Sequence, residues 1–256
     1  MTALGRSALV VGLSLMASGC GRKGPLIYPD MLVPAAPAAV SAQQSGSSVK
    51  IQFALPDKDR AGRPVQSVAG VKISRRAAET DRKDACRSCM TDYRLFQTIY
   101  LDHLPSSTQR FGNRLIVLDS DVTAEYSYSY SIVPFTADGV DGASSPTADV
   151  RVTQPLPAPV LKAESLPTEV RLHISSQPLL AGQLLGYNLY RWSILTARSY
   201  QPLNREPLKG SEYIDAGLER GVKYSYSVRA VMVSASGNIA ESAESQEVEG
   251  MLKDDE

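Results

Sequence analysis

The chain has 256 residues, of which 43% are hydrophobic and 21% charged, and its 27 basic and 27 acidic residues leave a formal net charge of zero. The apolar fraction suffices for ordinary hydrophobic cores, which argues against a wholly disordered chain. Nucleic-acid binding normally requires a basic excess, so the charge balance predicts no nucleic-acid partner. At about 100–200 residues per domain, the length accommodates two small domains or one larger domain.

The chain begins with a short basic segment and an apolar run of nine residues, ALVVGLSLM, at positions 8–16. A membrane-spanning helix needs about 20 apolar residues, so this run is too short to span and instead has the length of a signal-peptide core. Small residues at positions 17–19 then precede Cys20. This pattern resembles the lipobox of bacterial lipoproteins, in which the chain is cleaved before a cysteine that carries lipid.

The lipobox resemblance implies a cleaved signal peptide over residues 1–19 and a mature chain that starts at a lipidated Cys20. Each buried CH₂ contributes about 0.8 kcal/mol to membrane binding, so several acyl chains, such as palmitate, would hold the protein at a membrane. Apart from this covalent lipid, we expect no cofactor. An ordinary signal peptide with an incidental cysteine is the alternative interpretation.

A second resemblance begins at the same cysteine. The sequence CGRKGPL at positions 20–26 resembles the start of a family of very small Gram-negative lipoproteins that assist assembly of the lipopolysaccharide translocon. The match covers about ten residues, whereas this chain continues for more than 200. Gly21 in second position is similar to lipoproteins that are sent on to the outer membrane. The resemblance therefore implies an outer-membrane lipoprotein, and a role in assembling an outer-membrane complex is one alternative function.

Prolines cluster at residues 25–37 and again at 155–159. Proline-rich segments are extended and semi-rigid, so we expect a spacer over residues 20–37 and a junction between two halves of the body. The halves share a pattern: VLD and YSYSI, starting at 117 and 128, recur as YID and YSYSV, starting at 213 and 224, at a constant offset of 96 residues. The repeat predicts domains over residues 38–155 and 156–250, followed by a charged tail at 251–256.

Within each half, apolar and polar residues alternate. VKIQF at positions 49–53 and YSYSVRA at 224–230 are examples. Such alternation predicts strands with one face in a core and the other in water, which places Lys50, Ser227 and Arg229 on solvent faces. Short strands between proline and glycine punctuation favour an all-β fold built from sandwiches.

LERGVKYSYSVRA at positions 218–230 resembles the E–F corner and F strand of fibronectin type III domains. The resemblance implies that Tyr224, and Tyr128 in the first copy, are corner tyrosines whose hydroxyls bond to nearby backbone. Phe53-x-x-Pro56 is similar to the strand-B Trp-x-x-Pro of that family, with Phe in place of Trp. The implied architecture is two tandem immunoglobulin-like (fibronectin type III) β-sandwiches.

GVKISR at positions 70–75 matches GYNLYR at 186–191 at an offset of 116 residues, compared with 96 for the later motifs, so the first copy holds 20 extra residues between them. This insertion contains Cys86 and Cys89 in a C-x-x-C arrangement. In an exported compartment the pair is expected to form a local disulfide. A redox-active dithiol is a second interpretation, because nearby basic residues lower a thiol pKa. A metal half-site that takes further ligands from elsewhere is a third.

Other chemistry-bearing patterns are missing from the sequence. His103 and His173 belong to no metal-ligand pattern, and the chain has no G-x-S-x-G elbow and no G-x-x-x-x-G-K loop. We therefore predict no catalytic residue, no metal and no enzyme activity. The predicted function is a lipid-anchored binding or scaffold protein at the outer membrane, facing the periplasm or the outside, whose partner is another envelope protein.

The inserted loop, taken as residues 77–114, is the predicted contact surface because it distinguishes the two copies most clearly. Loops and strand edges are the usual binding surfaces of such modules. A periplasmic thiol–disulfide protein that uses Cys86 and Cys89 is the second alternative function.

Overall fold

The computed structural model describes residues 28–65, 68–79, 92–177, 182–234 and 237–253. Within these residues the chain forms fifteen strands, a short 3₁₀ turn at Pro29–Met31 and no α-helix. The first half contains β1 (Ala38–Ser45), β2 (Ser48–Ala54), β3 (Gly70–Glu79), β4 (Arg94–Tyr100), β5 (Thr108–Phe111), β6 (Arg114–Asp119), β7 (Tyr126–Phe135) and β8 (Ala148–Val152). The second contains β9 (Val160–Ser165), β10 (Glu169–Ser175), β11 (Gln183–Ser193), β12 (Glu212–Ala216), β13 (Tyr224–Val233), β14 (Ile239–Glu241) and β15 (Val248–Gly250).

The first half is a sandwich of two antiparallel sheets. One sheet has the order β1-β2-β6-β5 and the other β4-β3-β7-β8. This is the strand order of an immunoglobulin-like sandwich with one additional edge strand, β4. The alternating residues of β2 point between the sheets, where Val49, Ile51 and Phe53 are fully buried. Burying each such side chain contributes about 1.5–3 kcal/mol, so the alternation itself drives the two sheets together.

The second half repeats this architecture. A three-stranded sheet, β12-β10-β9, packs on a sheet in which β13 lies between β11 on one side and β14 and β15 on the other. Its core contains Val170 and Leu172 from β10, Leu189 from β11, and Tyr226 and Val228 from β13. The predicted all-β class and tandem sandwich architecture are therefore confirmed.

The segment that was expected to be a free spacer bonds to the first sandwich in its described part. Backbone carbonyls of Met31 and Val33 accept hydrogen bonds from the loop after β2, at 3.1 Å each. The carbonyl of Pro34 accepts a further hydrogen bond from Ala143, at 2.9 Å. Residues 28–35 therefore form a margin of the first sandwich and are not a free spacer.

The region expected to be an inserted loop contains strands. Of residues 77–114, the described parts include β4, which pairs with β3, and β5, which pairs with β6. Ile99 of β4 is fully buried and Phe96 packs on the same core. The prediction of a loop is wrong for these residues, because their apolar side chains extend the sandwich. Cys86 and Cys89 lie outside the described residues.

The two sandwiches are joined through a sheet. Strand β1 pairs in parallel with β14, so that Gln44 lies opposite Ala240 and Ser45 opposite Glu241. This pairing makes one continuous sheet in the order β11-β13-β14-β1-β2-β6-β5. The outer faces of the two sandwiches meet beside this pairing. The prediction that Lys50 and Ser227 face water is wrong, because both side chains are buried. Lys50 bonds to Tyr190 and Glu241 of the second sandwich, and Ser227 bonds to Glu244 of its own sandwich.

Candidate functional site

A buried carboxylate lies at the centre of the joint between the sandwiches. Glu241 on β14 is 3% exposed, and its Oε2 lies 3.0 Å from Nζ of Lys50, which is 6% exposed. Its other oxygen accepts hydrogen bonds from Asn188, at 2.6 Å, and from the Tyr190 hydroxyl, at 2.8 Å. Burial alone would raise the pKa of Glu241, but Lys50 and hydrogen bonds from Ser45, Asn188 and Tyr190 lower it to about 2. Glu241 is therefore ionised, and both of its carboxylate oxygens accept hydrogen bonds.

A second carboxylate lies beside two guanidinium groups. Glu244 accepts a hydrogen bond from Nη2 of Arg229 at 2.9 Å and forms an ion pair with Arg198. Arg229 also donates to the backbone carbonyl of Ser242 at 2.9 Å, and the Arg198 guanidinium lies 4.6 Å from the centre of the Trp192 ring. Burial lowers the pKa of Arg229, and the nearby charge of Arg198 lowers it further. The two guanidinium groups thus share one carboxylate.

The connection between β11 and β12 reaches across to the first sandwich. The side chain of Gln109 on β5 donates to the carbonyl of Arg198 at 2.6 Å and accepts from the backbone N–H of Tyr200 at 2.7 Å. The Tyr200 hydroxyl donates to the carbonyl of Ser106 at 2.7 Å. Together with the β1–β14 pairing, these contacts enclose a cleft of about 250 Å³ between the sandwiches. Its lining includes Lys50, Leu118, Tyr190, Arg198, Tyr200 and Arg229.

Each sandwich also contains a buried arrangement of aspartate, arginine and tyrosine. In the first, Asp119 accepts hydrogen bonds from Arg75, at 2.8 and 3.0 Å, and from the Tyr130 hydroxyl, at 2.8 Å. Burial, with the adjacent Asp119 charge, raises the pKa of Tyr130 far above its usual range. Tyr130 therefore remains a neutral hydrogen-bond donor, and Arg75 neutralises the buried charge of Asp119. Together these bonds fix the register of the strands.

The second sandwich repeats this arrangement with Asp215. Arg191 donates to it at 2.7 and 2.9 Å, and the Tyr226 hydroxyl donates at 2.8 Å. Burial is again the largest cause that raises the pKa of the tyrosine. Equivalent positions in the two copies therefore make equivalent bonds, which indicates a structural role rather than a site in one copy.

The two expected corner tyrosines lie two residues before these donors; Tyr128 is the third residue of β7 and Tyr224 is the first residue of β13. The Tyr128 hydroxyl accepts a hydrogen bond from the backbone N–H of Thr123 at 2.8 Å. The Tyr224 hydroxyl accepts one from the backbone N–H of Glu219 at 3.2 Å. In both sandwiches the hydroxyl bonds to the chain five residues upstream and ties the preceding connection to the sheet.

The remaining predicted residues are not brought together. His103 follows β4, whereas His173 lies on β10 near Glu164, at 3.7 Å, and Glu212, at 3.9 Å. Among the described residues, no group of three histidine, cysteine or acidic side chains is placed to hold a metal ion. No helix formed by these residues is long and apolar enough to cross a membrane. Cys20 lies outside the described residues, as do Cys86 and Cys89.

The residues of the joint were missed by sequence reasoning. Nothing in the local pattern distinguishes Lys50 from an ordinary solvent-facing strand residue, since it alternates with apolar neighbours in the usual way. Glu241 and Glu244 follow the F strand in a polar stretch that is typical of a surface turn. The packing of one outer face against another produces no periodicity in the sequence, so no sequence pattern could have indicated the residues of the joint.

No family model matches the chain. A solved structure with a similar fold is the crystal structure of the FN1–FN3 domains of chicken CNTN1, at 15% sequence identity and a TM-score of 0.31. The alignment covers 86% of this chain and 66% of that chain. The strand order and the repeated cores, rather than this likeness, define the chain as a tandem fibronectin-type β-sandwich protein.

Proposed function

We propose that the chain is a non-enzymatic binding and scaffold protein of the Gram-negative envelope, held at the outer membrane by lipid on Cys20. The single observation that supports this role best is the joint between the sandwiches. Strand pairing, the Lys50–Glu241 ion pair and the contacts of Gln109 act at separate points across it. A joint with several independent contacts resists hinge motion, so the two modules present their outer surfaces in a fixed relative orientation.

Strand β4 is the surface on which we place the partner contact. Among the described residues β4 pairs only with β3, so its other edge has backbone donors and acceptors available for an added strand. Leu95 is 61% exposed and Tyr100 is 55% exposed on this strand. Strand addition obtains affinity from backbone hydrogen bonds and specificity from such side chains. The proposed partner is an extended segment of another envelope protein.

Site-specific photo-crosslinking in living Gram-negative cells tests the proposed contact. A photoreactive amino acid at position 95, on β4, should give one dominant adduct with an envelope protein. The matched control carries the same residue at position 214, where Ile214 is an exposed residue on β12 of the second sandwich. Equal adduct patterns at the two positions, or no adduct at position 95, would contradict β4 as the contact.

A second experiment tests whether the captured protein binds through strand β4. Leu95→Lys places a charge on the exposed edge without altering the core, so it should reduce capture through a crosslinker at Tyr100 while leaving the unfolding midpoint unchanged. A variant that folds normally and still captures the same protein fully would refute strand addition at β4.

A further inference from the structure

The cleft between the sandwiches contains more positive than negative charge. Lys50, Arg198 and Arg229 line it, and Glu241 and Glu244 are the carboxylates in contact with them. The charge of Glu241 is balanced by Lys50 at 3.0 Å. Glu244 is consequently left to balance two guanidinium groups. The cluster therefore carries one net positive charge, part of it on the half-exposed Arg198.

The geometry places the excess charge where a ligand can reach it. The Arg229 side chain is 19% exposed and that of Arg198 is 46% exposed, so one guanidinium is sheltered and the other lies near the mouth of the cleft. Trp192 stacks on Arg198 and restricts its orientation. Lys50 uses two donors, on Glu241 and Tyr190, and an ammonium group has three. Lys50 of the first sandwich and Arg198 and Arg229 of the second therefore line the same cleft.

We infer that this cleft binds a phosphate-type anion, either inorganic phosphate or a phosphate monoester. A guanidinium group has five N–H donors in a planar fork that suits the oxygens of a tetrahedral oxyanion. Arg229 already donates to Ser242 and Glu244, so Arg198, the more exposed of the two, would provide most of the hydrogen bonds to the anion. An anion in the cleft would contact Arg198 and Arg229 beside Glu244, which lines the same cleft and already bonds to both guanidinium groups. Clefts at domain interfaces are frequent ligand sites, and a ligand here would bridge the two sandwiches. The site is independent of the lipid on Cys20 and of the β4 contact.

Isothermal titration of the full chain with sodium phosphate, at an ionic strength held constant with sodium chloride, tests the inference. We expect saturable binding of one phosphate per chain and a rise in the thermal midpoint that follows the same saturation curve. Sulfate should compete, because it has the same shape and charge type. Heat that is non-saturable, or that chloride reproduces, would show general ionic screening and would overturn the site.

A variant outside the core of the joint separates the site from folding. Arg198→Gln removes one guanidinium near the mouth of the cleft and should weaken phosphate binding by about tenfold or more, the loss expected for a charge-assisted hydrogen bond. Arg94→Gln on β4 is the matched control and should bind as the unaltered chain does. Equal affinity in the two variants would contradict the assignment. Circular dichroism without phosphate establishes that both variants are folded.

Two further titrants distinguish the source of the phosphate group. Glycerol phosphate represents a soluble ester and short-chain phosphatidic acid, below its micelle concentration, represents a lipid headgroup. Tighter binding of either ester than of inorganic phosphate, and its loss in Arg198→Gln, would identify the physiological class. If none of the phosphate compounds binds saturably to the full chain, the inference fails, but the proposed scaffold role does not depend on this result.

Discussion

Nζ of Lys50, on strand β2 of the first sandwich, lies 3.0 Å from Oε2 of Glu241, on strand β14 of the second. The two residues are separated by almost the whole body of the chain, and both are nearly inaccessible to water. Breaking a buried ion pair by removing one partner leaves an uncompensated charge, which costs far more than an exposed pair contributes. The joint between the sandwiches therefore depends on this pair.

Glu241→Gln should lower the free energy of unfolding by about 3–5 kcal/mol, because Lys50 then stays buried without its counter-charge. Urea unfolding followed by circular dichroism measures this loss. The matched control is Glu249→Gln, which removes an exposed pair with Lys223 at 2.9 Å and should change stability by at most about 1 kcal/mol. Similar small losses in both variants would show that the joint does not depend on Glu241.

Replacing both members of the pair should restore much of the stability that the single change removes. In Lys50→Met with Glu241→Leu, neither charge of the pair is left buried without its partner and the volume is retained, so the double variant should be more stable than Glu241→Gln. The same urea measurement applies. A double variant less stable than the single one would show that the neighbouring hydrogen bonds from Asn188 and Tyr190 dominate the joint.

Acid should weaken the joint in a defined interval. Because the pKa of Glu241 is lowered to about 2 in the folded chain, from an ordinary value of 4.5, the unfolded chain binds more protons between these values. The contribution of Glu241 is complete above about pH 5 and is lost as the pH falls towards 2. In urea unfolding at a series of pH values, Glu241→Gln should show a shallower decline over this interval. Parallel curves for the variant and the unaltered chain would contradict the assignment.

The corner tyrosines should contribute measurable and unequal stability. Tyr128→Phe removes the acceptor of a 2.8 Å hydrogen bond at a buried position and should cost about 1–2 kcal/mol. Tyr224→Phe removes a 3.2 Å bond at a more accessible position and should cost less. Thermal unfolding measures both, with Tyr28→Phe, at an exposed position, as the control. A larger loss for Tyr224→Phe than for Tyr128→Phe would contradict the geometry.

Gly70→Ala should destabilise the first sandwich. A Cβ at Gly70 would overlap the backbone carbonyl of Ile99 and the ring of Phe135, so β3 or β4 must shift, at a cost of about 1–3 kcal/mol. Gly210→Ala is the matched control, because its Cβ would lie at an ordinary contact distance of 4.0 Å from the backbone nitrogen of Glu212 and its φ is not positive; the change should be neutral or slightly stabilising. Equal unfolding midpoints for the two variants would refute the close approach at Gly70.

Much of the fold could be predicted from the sequence, because its signals are local. Alternation in β2 and β13 and the constant offset between the tyrosine motifs identified two copies of one sandwich. The same alternation assigned Lys50 to water, since periodicity distinguishes the two faces of a strand and not what covers the outer one. The strand nature of β4 was also missed, because the insertion has no counterpart in the second copy to reveal it. Contacts between the two sandwiches depend on side chains far apart in sequence, which only the structure brings together.

Intact mass spectrometry of the membrane and soluble fractions tests the proposed anchoring most directly. The full chain and Cys20→Ser would be expressed side by side in a Gram-negative host. We expect a mature species in the outer membrane that begins at Cys20 and carries added acyl mass, and a Cys20→Ser protein that lacks this mass and leaves that fraction. A chain that is uncleaved, or cleaved elsewhere without acyl mass, would contradict the lipid-anchored scaffold.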